Sequence, residues 1–161
     1  MPWPRRGERT RSYIEVMRRL WCDEISEYKD EFYELPACRQ FPKPVQKPHI
    51  PIHFGGESDA ALQRVADIGQ GWYGFNLEPD GLAERVQRLE KLLAANGRKR
   101  SDIRVSVSPY TREMNPARLE AYRRAGADQV ILIALARDRA AISSSLEKLA
   151  GAYLEPARRL A

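Results

Sequence analysis

The feature that most limits what this chain can fold into is its rhythm after residue 50, where short apolar runs alternate four times with amphipathic stretches. Residues 50–54 are an apolar run ending at Gly55-Gly56. Residues 58–68 place Leu62, Val65 and Ala66 on one helical face, with Ser58 positioned as a cap. Residues 71–75 read as a second strand. Residues 79–96 read as a helix with Pro79 in its first turn, Gly97 past its end, and Leu82, Val86, Leu89 and Leu93 in one stripe. Residues 103–110 alternate Ile103, Val105 and Val107 with Arg104, Ser106 and Ser108, as in a strand. Asn115-Pro116 opens a third helix that stops at Gly126. Residues 129–135, QVILIAL, are apolar at nearly every position, as in a strand covered on both faces. Asp138 caps a last helix carrying Ile142, Leu146, Leu149 and Tyr153 on one side, and Pro156 is expected to kink or end it. Four βα units in series imply an α/β fold with a parallel sheet and right-handed crossovers. A doubly wound open sheet and a section of a (β/α)8 barrel both fit that pattern.

Before the rhythm begins, residues 1–22 read as a helix, with Tyr13, Ile14, Met17, Leu20 and Trp21 on one face. Residues 23–49 form an excursion. Its first part, EISEYKDEFYEL, alternates around Lys29-Asp30 like a small hairpin. Its second part is rich in proline (Pro36, Pro42, Pro44, Pro48, with Pro51 beyond), which blocks helix and most ladder pairing, so an ordered extended loop is expected. At 161 residues the expectation is a single domain, 1–161, with residues 50–161 holding the four βα units.

Bulk properties narrow the function classes. The chain is 43% hydrophobic and 30% charged, as in ordinary globular proteins. No apolar run approaches the roughly 18 residues of a membrane span, and the basic N-terminus has no apolar segment behind it. No membrane association and a cytoplasmic location are therefore expected. The net charge of +5 includes two basic clusters, Arg5/Arg6/Arg9/Arg11 and Arg98/Lys99/Arg100. Neither has interleaved aromatics or a recognition motif, so they read as solvated surface and no nucleic-acid partner is expected. Cys22 and Cys38 are not in a CxxC and read as reduced thiols. His49 and His53 flank Pro51 on extended chain with no third ligand in view, so no metal is expected.

The sharpest local feature is HFGGESDAALQRVADIG, in which a strand ends in two glycines and a helix follows at once. Glycines let a backbone approach a ligand closely. The helix start supplies free N–H groups and a partial positive charge that favour an anion such as phosphate. The Ser58 hydroxyl can add a hydrogen bond, and in either architecture the turn lies at the C-terminal edge of the sheet, where ligands bind. The competing reading is a tight turn that needs glycine for geometry alone, since the motif is neither GxGxxG nor a P-loop. Glu57 would repel phosphate with its carboxylate turned inward, although its backbone N–H could still serve. Trp72 and Tyr73 could stack on a ring or simply pack, and Arg104, Ser106 and Ser108 could face a barrel lumen or plain solvent.

At these residues the chain resembles the luciferase-like monooxygenase family of flavin- or F420-dependent (β/α)8 enzymes related to bacterial luciferase. The matching segments are PWPRRGERTRSYIEVMRRLW and DEFYELPACRQFPKPVQKPHIPIHFGGESDAALQRVADIGQGWYGF, clearest over residues 2–75. The resemblance implies a partial (β/α)8 TIM barrel holding roughly the last four βα units. It also implies an oxidoreductase or monooxygenase acting on a small-molecule substrate with F420 or FMN as cofactor. In the family the strand ending at this turn is the fifth of the barrel and its turn binds the cofactor phosphate. Carried over, that names Gly55, Gly56, Glu57 through its backbone, and Ser58. The family often has Asp where this chain has Gln70, which puts any role of that carboxylate in doubt. Family members have about four βα units ahead of the PW-RG-RT helix, and a full barrel takes about 250 residues. The chain is therefore expected to be a C-terminal half, inactive alone, completed by an N-terminal half or by homodimerisation. The alternatives are a catalytically incomplete half-domain that binds a phosphate ligand or acts in assembly, and an unrelated doubly wound module. No residue stands out as a catalytic acid or base.

Overall fold

The computed structural model of the chain describes residues 4–160, which divide into two compact units meeting at Pro51 and Ile52. In the first unit, α1 (Arg6–Cys22) is followed by an antiparallel hairpin of β1 (Ser26–Lys29) and β2 (Glu34–Cys38). Asp30 shapes the hairpin turn, its carboxylate accepting from the amides of Phe32 and Tyr33. The second hairpin strand runs through Pro36, into the segment expected to be loop. The register shifts between the Ser26–Cys38 and Tyr28–Leu35 pairs, and a bulge of this kind accommodates a residue without an N–H. The following proline-rich stretch has no regular structure, and Lys43 pins it within the unit by donating to the carbonyls of Leu20 and Asp23. Arg5 lies over Phe32 and pairs with Glu31 and Glu8. Those hydrogen bonds raise its pKa above the ordinary value and lower those of both carboxyls.

The second unit is built on β3 (His53–Gly55), β4 (Gly71–Phe75), β5 (Arg104–Ser108) and β6 (Gln129–Val130), all parallel and hydrogen-bonded in that order. Helices α2 (Asp59–Ile68), α3 (Pro79–Ala95) and α4 (Pro116–Arg124) connect them, and α5 (Arg139–Leu160) follows β6. Neighbours in space are neighbours in sequence, with no reversal. Right-handed crossovers in one direction put every connecting helix on the same face, as in a barrel wall. A doubly wound sheet needs a reversal of strand order, so that alternative is excluded for the described residues.

The core lies under the helices. Phe54, Trp72, Val105 and Val107 from the strands are buried with Leu62, Val65, Leu82, Val86, Leu89, Leu93, Leu119 and Tyr122 from the helices. Each helix starts and stops where the residues require it. Ser58 and Asn115 accept the amides of Ala61 and Arg118 as N-caps, Pro79 and Pro116 sit in first turns, and Gly97 and Gly126 take positive φ at the exits.

Two polar residues extend the ladder beyond the strands. The Gln70 side chain accepts from the amide of Ile52 and donates to the carbonyl of Ile68. It fastens the entry to β3, whose ladder begins at His53, later than the expected residue 50. Asp128 does the same for β5 by accepting from the amide of Val105.

The basic cluster at 98–100 is not the plain solvated turn expected. Arg98 donates to the carbonyls of Val65, Ala66 and Gly69, closing the C-terminal end of α2. Arg100 donates to Ile103 and Gly126 and pairs with Asp128 at 2.8 Å.

The last βα unit departs furthest from expectation. Only Gln129 and Val130 of the apolar run form strand, although Ile131 still donates to the carbonyl of Val107. Ile131, Ile133 and Leu135 are exposed, not covered on both faces. A ladder needs a partner on each side to bury such a run, and β6 has only β5 among the described residues. Helix α5 has no buried residue, so Ile142 and Leu146 of its apolar face are exposed as well. Pro156 does not end it, and the helix continues to Leu160.

The Arg98 contacts generate a stability test. Arg98→Ala strips three backbone carbonyls of a charged donor and should cost about 2–3 kcal/mol in chemical unfolding. Arg98→Lys should recover only part of this, because a single ammonium cannot fork across the same acceptors. Wild-type stability in Arg98→Ala would show that water replaces the guanidinium without loss.

Candidate anion site at the C-terminal edge of the sheet

The turn from β3 into α2 is short and held from several sides. Gly55 ends the strand, Gly56 adopts φ 95°, and Ser58 caps α2 with its hydroxyl oxygen 3.3 Å from the amide of Ala61. The indole N–H of Trp72 donates to the Gly56 carbonyl at 2.9 Å. Arg85 reaches the Glu57 carbonyl from α3 at 3.4 Å. The Glu57 carboxylate is occupied, accepting the amide of Phe75 at 3.1 Å at the end of β4. One carboxylate oxygen thus ties the turn to the neighbouring strand, and the side chain keeps its negative charge.

This leaves the amides of Glu57 and Ser58 without a hydrogen-bond acceptor among the described residues. They stand at the N-terminal end of a ten-residue helix, where partial positive charge accumulates. Asp59 opposes that charge in the first turn, but Arg88 at 2.9 Å and Arg85 at 3.9 Å answer it. Two carboxylates, Glu57 and Asp59, are thus matched by two guanidiniums, Arg85 and Arg88, around the turn. The two glycines differ in their roles. A Cβ on Gly55 would meet nothing nearer than the Tyr73 carbonyl at 3.9 Å, so the backbone there is open to approach. A Cβ on Gly56 would sit 3.1 Å from that of Ala61, on a backbone conformation that L residues rarely adopt.

Strand register assigns the remaining candidates. Trp72 pairs with Phe54 and Val105 on the helix-covered face and is fully buried, which rules out stacking on a ligand. Tyr73 pairs with Gly55 and Ser106 on the opposite face, followed two residues on by Phe75 opposite Ser108. Ser106 and Ser108 are buried, contrary to a reading as surface polarity, whereas Arg104 is exposed. Ser106 bonds the Gln129 side chain, and the Ser108 oxygen accepts the amide of Tyr110. Phe75 stands between Tyr73 and Tyr110, with ring centroids 6.5 and 5.0 Å away. The sequence names Tyr73 as a stacking candidate, but its two neighbours in the row, Phe75 and Tyr110, were missed. The signal for Phe75 was available in the period-two spacing of Tyr73 and Phe75, but Tyr110 joins only through tertiary structure.

The histidines have separate occupations. His53 lies with its ring where a Cβ of Gly71 would be, and His49 packs near Trp21 and its Nδ1 is 2.8 Å from the carbonyl of Ile50. No cluster of three or more His, Cys, Asp or Glu occurs among the described residues, both cysteines are free, and no described helix is long and apolar enough to cross a membrane.

Comparison with known proteins supports the same architecture. The family model described as luciferase-like monooxygenase matches residues 1–158. An uncharacterized protein of Mycobacterium tuberculosis is 36% identical over 98 residues, covering 61% of this chain and 33% of its own length. The pyrimidine monooxygenase RutA of Allorhizobium ampelinum is 29% identical over 125 residues, covering 74% of this chain and 34% of its own. The chain thus spans about a third of the length of these curated relatives. Among solved structures, the coenzyme F420-dependent tetrahydromethanopterin reductase of Methanopyrus kandleri superposes with a TM-score of 0.75 at 12% identity, over 91% of this chain and 62% of the other. A monooxygenase of Streptomyces bottropensis gives 0.71 at 14% identity, over 96% and 63%. With sequential parallel strands, helices on one face and a family match over nearly its whole length, the chain belongs to the luciferase-like monooxygenase family and carries part of its (β/α)8 barrel.

Proposed function

We propose that this chain is the cofactor-tail-binding part of an F420- or FMN-dependent oxidoreductase or monooxygenase acting on a small molecule, and that the turn from Gly55 to Ser58 holds the cofactor's phosphate. The observation that carries the reading is the pair of unbonded amides, Glu57 and Ser58, at the start of α2 on the C-terminal edge of a parallel sheet. The donor set suits an anion: backbone N–H groups and a serine hydroxyl free to donate while its oxygen caps the helix, with the neighbouring Glu57 carboxylate engaged by the Phe75 amide. The bound cofactor would supply hydride or reduced-flavin chemistry, while these residues would anchor its tail and fix the position of its ring. Solved relatives in this fold include an F420-dependent reductase and an F420-dependent secondary alcohol dehydrogenase.

The reading also includes a partner. Among the described residues each outer strand of the sheet, β3 and β6, has one neighbour, and Ile131, Ile133 and Leu135 are exposed beside the β6 edge. Four further parallel strands would close an eight-stranded ring and cover these residues. They come from an N-terminal half-barrel or from a second copy of this chain. Sedimentation of the purified chain separates the two: a stable dimer supports self-completion, and a cooperative monomer argues against it.

The turn is tested by titration with FMN and F420. Gly55→Val should weaken binding of both at least tenfold while leaving the melting temperature close to that of the native chain, because only approach to the backbone is obstructed. Gly56→Val should instead lower the melting temperature, because it places a β-branched residue at φ 95°. Unchanged affinity in Gly55→Val, or no binding of either cofactor to the native chain, would defeat the assignment.

A further inference from the structure

A cleft of about 270 Å³ opens between α4 and α5 beside the start of β6. It lies at the N-terminal end of the strands, whereas the Gly55–Ser58 turn lies at their C-terminal edge. The two places are on opposite ends of the sheet. An absent neighbour does not account for the cleft, because both of its walls belong to this chain and are fastened to each other. Tyr153 on α5 donates its hydroxyl to the Met114 carbonyl, just ahead of α4, at 2.6 Å. Roughly 10 Å further along α5 the Leu160 carbonyl accepts Arg123 Nε. Between these fastenings the helices stand apart, and small side chains are the reason. Ala127 lines the cleft from the loop after α4 and Ala157 lines it from α5. Neither spans the gap that a leucine would fill.

The lining has an apolar part and a charged part. Leu119, Val130 and Leu160 join the two alanines, and Leu119 and Ala127 are buried. Arg123 also lines the cleft and is exposed. Its Nε serves the Leu160 carbonyl, and its two terminal nitrogens have no partner among the described residues. One carboxylate lines the cleft, that of Asp128. It keeps its charge but is matched by Arg100 at 2.8 Å and accepts the Val105 amide. The acids along the two helices are matched as well, Glu120 by Arg124 and Glu155 by Arg158. The unmatched group at the cleft is therefore a guanidinium beside an apolar wall. That pairing suits an amphiphilic anion, whose carboxylate takes charge-assisted hydrogen bonds while its alkyl part leaves water.

We propose that the cleft between α4 and α5 binds a small amphiphilic carboxylate of the fatty-acid type, with Arg123 on the carboxylate and the chain against Leu119, Val130 and Leu160. The site is separate from the cofactor reading and does not depend on it. Helix α5 has no buried residue, so a ligand spanning the cleft supplies apolar contact that the helix lacks and stabilises the chain by mass action.

The test titrates the intact chain with octanoate, octanol and acetate while the methyl signals of Ala127 and Ala157 are followed by NMR. Octanoate should shift both methyls and raise the melting temperature, and acetate should do neither. Arg123→Gln should weaken octanoate about fivefold and leave octanol unchanged, as for one partly exposed ion pair. Arg123→Lys should recover most of that loss. Ala157→Leu should abolish binding of octanoate and octanol while holding or raising the melting temperature, because leucine is a good helix former and fills the space. If leucine disturbs the melt, Ala157→Gln obstructs the cleft from the same position. Saturating FMN should not displace octanoate. Equal octanoate affinity in the native chain and Arg123→Gln overturns the carboxylate assignment. Binding that survives Ala157→Leu, or that FMN displaces, puts the ligand elsewhere and overturns the cleft. Unmoved methyls in the presence of octanoate overturn the proposal outright and leave the turn untouched.

Discussion

Strands β3 to β6 pair in the order in which they occur along the chain, and every other property of the second unit descends from that ladder. A right-twisted strand followed by a helix returns to its neighbour with one hand only. When each return goes one place in the same direction, the helices accumulate on one side and bury one set of alternating residues. Phe54, Trp72, Val105 and Val107 belong to that set. The other set, including Gly55, Tyr73, Phe75, Ser106 and Ser108, is left facing what in a closed barrel is the lumen. The division between core and candidate site is thus a matter of odd and even positions along four short strands.

Charge near the turn is managed by occupation. Glu57 and Asp59 would make a poor neighbourhood for an anion if both carboxylates were loose. One is taken up by the Phe75 amide and the other by Arg85 and Arg88 on α3. The positive end of the α2 dipole and the amides of Glu57 and Ser58, which have no acceptor among the described residues, then meet carboxylates that are matched by two guanidiniums. Trp72 serves both the core and the turn, with its ring buried and its N–H fixing the Gly56 carbonyl. Removing that indole would loosen the turn as well as hollow the core.

The final βα unit shows what a strand needs besides its own composition. QVILIAL has the apolar density of a strand buried on both faces, yet it pairs over two residues and exposes Ile131, Ile133 and Leu135. Helix α5 keeps helical backbone through Pro156 while its apolar stripe finds little cover. Both elements carry the residues of an interior position without the neighbours that would make it interior.

Much was legible from the residues because the determinants were local. Capping by Ser58 and Asn115, proline in first turns, glycine at helix exits, the Leu82–Val86–Leu89–Leu93 stripe and the glycine turn before α2 all depend on positions within a few residues of one another. The sequence by itself therefore determined the βα order, the family and the location of the turn. Tertiary structure decided the rest: a singly wound wall over an open doubly wound sheet, Trp72 to the core and Tyr73 to the other face, and the engagement of Glu57. It also drew Arg98 and Arg100 onto backbone carbonyls and brought Tyr110 beside Phe75. These depend on which strands become neighbours and in what register, and contacts 18 to 35 positions apart leave no periodic mark in the chain to be read beforehand.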